Sequence, residues 1–314
     1  MRAAYHLACR CLPTYSNKFS RKDFTLPQLF ACLTVKEMLR RSYRSAEALL
    51  NDCENWLRDV DLAKAPDHNT LCRAAKLLLG RLRVNKLLDT LARWAATARL
   101  LGKLSGRKPL AIDSSLYESH HVSRHYDERR CHQTRRRMKA KDRRRKGRKI
   151  GRSATVRGLP KLAVAVDAHS HLALSMWTGT GGGSDHPHFE PVLFDAWRRV
   201  PRRSLTAVLD AGYDSEANHE LARRDMGLRS IIPPSIGRPR ADGGPPGGRW
   251  RRAMKRLLAT KASRRRCGYT QRWQSETVNS MMKRNLGSAL RGKTAHSRKR
   301  DLHLKTITHD LMVF

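Results

Sequence analysis

The chain has 314 residues, with 65 Lys+Arg against 27 Asp+Glu, a formal net charge of +38 and a pI of about 11.2. That length allows two domains and at least one sizeable core, and a charge of that size points to a polyanionic partner, nucleic acid by default. Seven cysteines, an odd number with Cys9 and Cys11 the only close pair, argue against a disulfide framework or a zinc site, and no apolar run suits a membrane span or signal peptide, so a cytoplasmic, nucleoid-associated protein is expected.

Residues 1–22 read as a loosely structured basic lead-in. From Thr25 to about Leu101 apolar residues recur at helical spacing: Leu29, Phe30, Leu33 and Leu39, then Leu49, Cys53, Trp56, Leu57 and Val60. After a break at Pro66-Asp67 the pattern returns at Leu71, Ala74, Ala75, Leu78 and Leu82, and again at Leu87, Leu88, Leu91, Trp94 and Ala95. Four short helices predict a small all-α domain over 1–104, with DNA binding through a reading helix near 69–82 as one role and a structural or dimerising bundle as the other.

At Ser105-Gly106-Arg107-Lys108-Pro109 the texture changes to short apolar runs. Leu110-Ala111-Ile112 reads as a buried strand ending at Asp113, and Leu162 to Val166 as one ending at Asp167, with His171 to Trp177 as its hairpin partner. A helix is expected over 189–200, a strand over 205–209 ending at Asp210, a helix over roughly 214–226 and a strand over 229–232. The order is that of an α/β domain over 105–314 built around one mixed sheet. Two inserts interrupt it. One, near 124–152, is densely basic, with Arg135, Arg136, Arg137, Arg143, Arg144 and Arg145, and is expected to contact a nucleic-acid backbone. The other, near 233–268, is rich in Pro and Gly in its first half, which reads as loop.

The residues 269–283 lack Pro and Gly and read as a helix. At about 100° per residue, Arg272, Glu276 and Lys283 lie roughly 300°, 340° and 320° around from Tyr269, so the four share one stripe. Val278, Met281, Met282, Leu286 and Ala289 fall on another side that can face a core. Taken alone, Arg272 and Glu276 are an i,i+4 surface pair. Two strand-end aspartates elsewhere change that reading, because two Asp and a Glu are hard oxygen ligands for Mg²⁺ or Mn²⁺.

The spacing Tyr269, Arg272, Glu276, Lys283 resembles the Tyr-x2-Arg-x3-Glu-x6-Lys signature of the DDE transposases of bacterial insertion sequences. The blocks around Asp113 and around Asp210-Ala211-Gly212-Tyr213-Asp214 are in the same family's style. The resemblance covers roughly 105–314. It implies a ribonuclease-H-like mixed sheet flanked by helices, with Asp113, Asp210 and Glu276 as catalytic ligands of two Mg²⁺ ions, Mn²⁺ being a substitute. It further implies Tyr269, Arg272 and Lys283 as DNA-backbone contacts, double-stranded DNA (element ends and target) as partner, and a homodimer or higher assembly on DNA. The implied reaction is cleavage at element ends followed by joining of the 3′-hydroxyl to target DNA. A structure-specific nuclease of the same fold and a non-catalytic basic nucleic-acid-binding protein are the alternatives.

Other residues have plainer readings. Asp167 suits a turn and Asp214 a helix cap. The histidines at 120–121, 169, 171, 186 and 188 are expected to meet phosphate or solvent rather than a metal. Trp250 and Trp273 have the shape to stack on an unpaired base, and core packing is the expected role of Trp273.

Overall fold

The computed structural model describes residues 1–101, 109–120, 159–181, 185–200, 205–235 and 247–314. Its N-terminal region is helical: α1 (Arg2–Cys11), α2 (Leu26–Met38), α3 (Tyr43–Asp52), α4 (Glu54–Arg58), α5 (His68–Leu78) and α6 (Arg81–Thr97). The expected loose lead-in is instead α1, because Ala4, Leu7 and Ala8 recur at i, i+3, i+4 and bury against the neighbouring helices. Thr25 and Gln28 form a capping box at the start of α2, with Pro27 in its first turn. Surrounded by other helices, α2 is buried on every side from Leu26 to Glu37.

The remainder is built on a five-stranded sheet of β1 (Leu110–Leu116), β3 (Pro160–Asp167), β4 (Ala173–Thr180), β5 (Thr206–Leu209) and β6 (Arg229–Ile231), in the order β4-β3-β1-β5-β6. The β4-β3-β1 side is antiparallel and the β1-β5-β6 side parallel. This mixed sheet, flanked by helices, is the expected ribonuclease-H-like fold. A short parallel pair, β2 (Glu118–Ser119) with β7 (Ala289–Leu290), lies beside it. On one face Leu110, Ile112 and Ala163 pack with Phe189, Val192 and Leu193 of α7 (Phe189–Arg199). On the other, Ala111, Val164 and Val208 pack with Val278 and Met282 of α11 (Trp273–Leu286). The last helix, α12 (Ala295–Val313), joins two cores: Leu302 belongs to the α11 face, whereas Leu304 and Ile307 sit in the N-terminal helical cluster.

Several boundaries differ from the sequence reading. β1 continues through Asp113 to Leu116, because β3 pairs with it over that whole length. The helix after β5 is α8 (Glu216–Glu220), continued as a π-helical turn over Leu221–Asp225. Part of the second insert is helical, as α9 (Arg249–Leu257) and α10 (Lys261–Arg266), and Met254 and Leu258 bury into the α11-face core. Glu216 accepts from the backbone N–H groups of Trp250 and Arg251 and so caps α9. Gly248, at φ 91°, permits that approach, since a Cβ there would sit 2.2 Å from the Glu216 carboxylate. Asp214 is not a helix cap. Its buried carboxylate takes Arg251 at 2.6 Å and the Ser235 N–H at 2.8 Å.

Candidate active site

Ile112 of β1 lies opposite Leu209 of β5 in the parallel pairing, so the next residues, Asp113 and Asp210, come side by side. β5 ends there and Asp210 opens a 3-10 turn, Ala211–Tyr213, its carboxylate accepting from the Gly212 N–H. Asp113 is held in the strand by β3, opposite Val164. Burial, then the charges of Asp210 and Glu276, outweigh the Ser114 N–H and Arg272 and push the Asp113 carboxyl up to about 6.

The stretch read as one helix has two parts. Tyr269–Arg272 is a 3-10 turn that follows Gly268 (φ 82°), and α11 proper begins at Trp273. Glu276 therefore sits in the first turn of α11, where a carboxylate complements the helix dipole. Arg272 is ion-paired to it. Burial lifts the Tyr269 hydroxyl pKa above its ordinary value, and Arg272 and Asp210 both act on it, which places Tyr269 in the same charged neighbourhood. Lys283, further along α11, lies 5.2 Å over the Tyr117 ring. Its pKa is lowered by burial, partly offset by Glu118 and Asp113.

A groove of about 480 Å³ runs along α11, lined by Asp113, Ser115, Glu276, Asn279, Lys283 and Arg284 among others. Asn279 is buried, and neither end of its amide has a partner. Asn279 and Ser115 escaped the sequence reading, since an Asn three residues after Glu276 has no distinctive spacing of its own. A second cavity, of about 310 Å³, adjoins at Lys283 and Ser288. There Arg40 of the N-terminal region donates to the Arg284 and Asn285 carbonyls and Lys305 of α12 to that of Leu286, closing the C-terminal end of α11.

The structure thus brings Asp113, Asp210, Tyr269, Arg272, Glu276 and Lys283 to one end of the sheet. Arg135, Arg136, Arg137, Arg143, Arg144 and Arg145 lie outside the described residues. Trp273 is 53% exposed rather than packed in a core, because α11 turns its Ser275, Val278, Asn279 and Met282 side inward. Ala289, read on the core side of that helix, lies in β7 instead. Asp167 does hold a turn, accepting from the Ser170 N–H at 2.8 Å. His171 bonds Gln274 at 2.6 Å, and His188 stacks on Trp177 at 3.5 Å.

Asp113 and Asp210 supply hard oxygen donors whose mutual crowding a cation would relieve, so the donor set fits a divalent metal. Among the described residues no three His, Cys, Asp or Glu side chains are gathered closely enough to hold one as they stand. Glu276, the third acidic residue of the expected set, is turned to Arg272.

No curated protein and no solved structure gives a match. The family described as transposase DDE domain matches residues 104–311. No helix among the described residues is long and apolar enough to cross a membrane. With that match over most of its length, the chain belongs to the transposase DDE domain family: it is a transposase, an enzyme acting on DNA, in a family that typically uses divalent metals.

Proposed function

We propose that the chain binds the ends of an insertion sequence, cleaves DNA there and joins the released 3′-hydroxyl to target DNA, with Asp113, Asp210 and Glu276 as the metal ligands. The observation that carries this reading is the parallel register, Ile112 opposite Leu209, that sets two aspartates beside each other below Glu276's helix. Two Mg²⁺ ions bound by these carboxylates would supply activation of the attacking oxygen and stabilisation of the leaving one. The chain's own residues do the rest. Arg272 exchanges Glu276 for a backbone phosphate, presenting its planar fork to two phosphate oxygens. Lys283 adds a point charge further along the groove, and Tyr269 orients the backbone beside Arg272. Each step hydrolyses or exchanges a phosphodiester, so no external energy source is required.

The N-terminal region, 1–104, is assigned to DNA binding and the 105–314 region to catalysis, within a homodimer or larger assembly on DNA in the cytoplasm. The basic insert near 124–152 is assigned to backbone contact. A strand-transfer assay on duplexes carrying the element's ends tests the function. Joined products that disappear in Asp113→Asn, Asp210→Asn and Glu276→Gln, with DNA binding kept, support it. Cleavage without joining would favour a structure-specific nuclease, and any one variant with wild-type cleavage would remove that residue from the ligand set.

A further inference from the structure

We propose that Asp185 is a positioning residue for the paired aspartates, holding the residue after Asp113 and the turn after Asp210 from the opposite face of the sheet. The role rests on the reading of Asp113 and Asp210 as metal ligands. Alternation along β1 places Asp113 on the α11 face with Ala111 and sends Ser114 to the α7 face with Ile112. There the Ser114 hydroxyl donates to Asp185 Oδ1 at 2.7 Å. Lys161, buried on β3, is ion-paired to the same oxygen. The other oxygen, Oδ2, faces Gly212. A Cβ on Gly212 would lie 3.2 Å from Asp185 Oδ2 and 2.8 Å from Asp210 Oδ1. Two carboxylates from different segments therefore close over one glycine, whose N–H is already given to Asp210.

A buried Lys–Asp pair by itself says little about stability or function. Where this one reaches is the informative part. It bonds the residue next to one candidate ligand and lies close against the turn that orients the other. Outer groups that hold ligands in place typically govern ten- to a hundred-fold in metal affinity. The 185–188 segment drew notice in the sequence for its histidines, but in the fold it is the aspartate that reaches the site from behind.

The test is Mn²⁺ binding by the full chain, read from the electron paramagnetic resonance signal of free Mn²⁺, with melting temperature in EDTA recorded alongside. The proteins are wild type, Asp113→Asn, Asp185→Asn, Ser114→Ala and the double variant Lys161→Met/Asp185→Asn. Asp113→Asn should lose the ion. Asp185→Asn should bind it about ten- to a hundred-fold more weakly, Ser114→Ala more weakly by a smaller factor, and the double variant no better than Asp185→Asn. Should Asp185→Asn fail to fold, Ser114→Ala carries the comparison. Native affinity in Asp185→Asn or Ser114→Ala, with the ion lost in Asp113→Asn, overturns the positioning role and leaves the ligand assignment standing. Recovery in the double variant also overturns it, since Asp185 would then only neutralise Lys161. An Asp113→Asn protein that behaves as wild type overturns the ligand assignment itself, and the positioning role with it.

Discussion

Arg272, just before α11, grips Glu276 in the helix's first turn, and on the proposed reading Glu276 is the carboxylate that joins Asp113 and Asp210 at the metal. The pair is partly open to solvent, with side chains 26% and 51% exposed. Exchanging partners therefore costs little, on the order of 1 kcal/mol or less for an exposed pair. On the proposed reading, an arriving phosphate would offer Arg272 a substitute and release Glu276 in the same move, making substrate binding and completion of the site one event.

Arg272→Ala separates the two halves of that event. Metal affinity without DNA should stay level or rise, because Glu276 is released from its partner. Binding to element ends should fall roughly ten- to a hundred-fold, the worth of a charge-assisted contact of about 1.5–3 kcal/mol. Arg272→Lys keeps the charge, loses the fork and should fall between the two. Calorimetric metal titration and gel-shift assays on the same proteins check this. Full end binding in Arg272→Ala would leave the pair as an ordinary surface contact.

Much of the fold was legible because its signals were local. Leu162 to Val166 is an unbroken apolar run and Leu205 to Leu209 one interrupted only by Thr206, and both hardly fit anything but buried strands. The signature around Glu276 was visible as spacing, although the 3-10 turn at Tyr269–Arg272 interrupts the regular helix that the spacing assumed. What stayed hidden depended on distant partners. Asp214 has the look of a cap until Arg251 arrives from 37 residues away, and nothing near Asp185 announces Ser114 or Lys161. The sharing of α12 between two cores was equally out of reach, since nothing local says that Leu302, on one side of the helix, and Leu304 and Ile307, on the other, meet different cores.

The raised Asp113 pKa gives a signed pH dependence. A carboxyl near 6 in the folded state, against about 3.9 unfolded, binds its proton more tightly when folded. Its contribution to stability is therefore full below about pH 4 and is lost as pH rises through about 6. Metal-free Asp113→Asn should melt higher than wild type at pH 7.5, by up to roughly 3 kcal/mol in stability, and the gap should close towards pH 4. Metal binding by wild type should strengthen as pH rises through the same range, because the ion competes with that proton. Scanning calorimetry in EDTA across pH 4–8 reads the first effect, and a gap independent of pH would contradict it.

Glu37 ties the N-terminal region to α12. Its buried carboxylate meets Lys36 at 3.2 Å and Lys305 at 2.9 Å. Burial acts to raise its pKa, but the two lysines outweigh that and hold it below the usual carboxylate value. The stabilisation is thus present above the ordinary carboxylate range and is lost as pH falls through the depressed value. Glu37→Gln leaves two buried ammonium groups short of a counter-charge and should cost about 3–5 kcal/mol near pH 7. Urea unfolding followed at two probes, one in each region, should show both transitions shifting together, because Leu304 and Ile307 belong to the N-terminal core. A shift confined to the N-terminal probe would show that the two regions unfold separately.

Asn279 puts a polar group where stability alone would favour an apolar one. Both ends of its amide are buried without a partner, one turn beyond Glu276 on the wall of the groove. An orphaned buried amide costs about 1–3 kcal/mol, and an apolar side chain of similar size removes that cost. Asn279→Leu should therefore stabilise the protein by about 1 kcal/mol. If the amide is kept for a DNA strand bound in the groove, the same variant should cleave element ends more slowly, since the strand would lose the hydrogen bonds of that amide. Asn279→Gln keeps the chemistry but lengthens the side chain, and should recover part of the rate without the gain in stability. Melting temperature and cleavage rate measured on the same two variants decide the matter. A stabilised Asn279→Leu that cleaves at the wild-type rate would reduce Asn279 to an imperfection of packing.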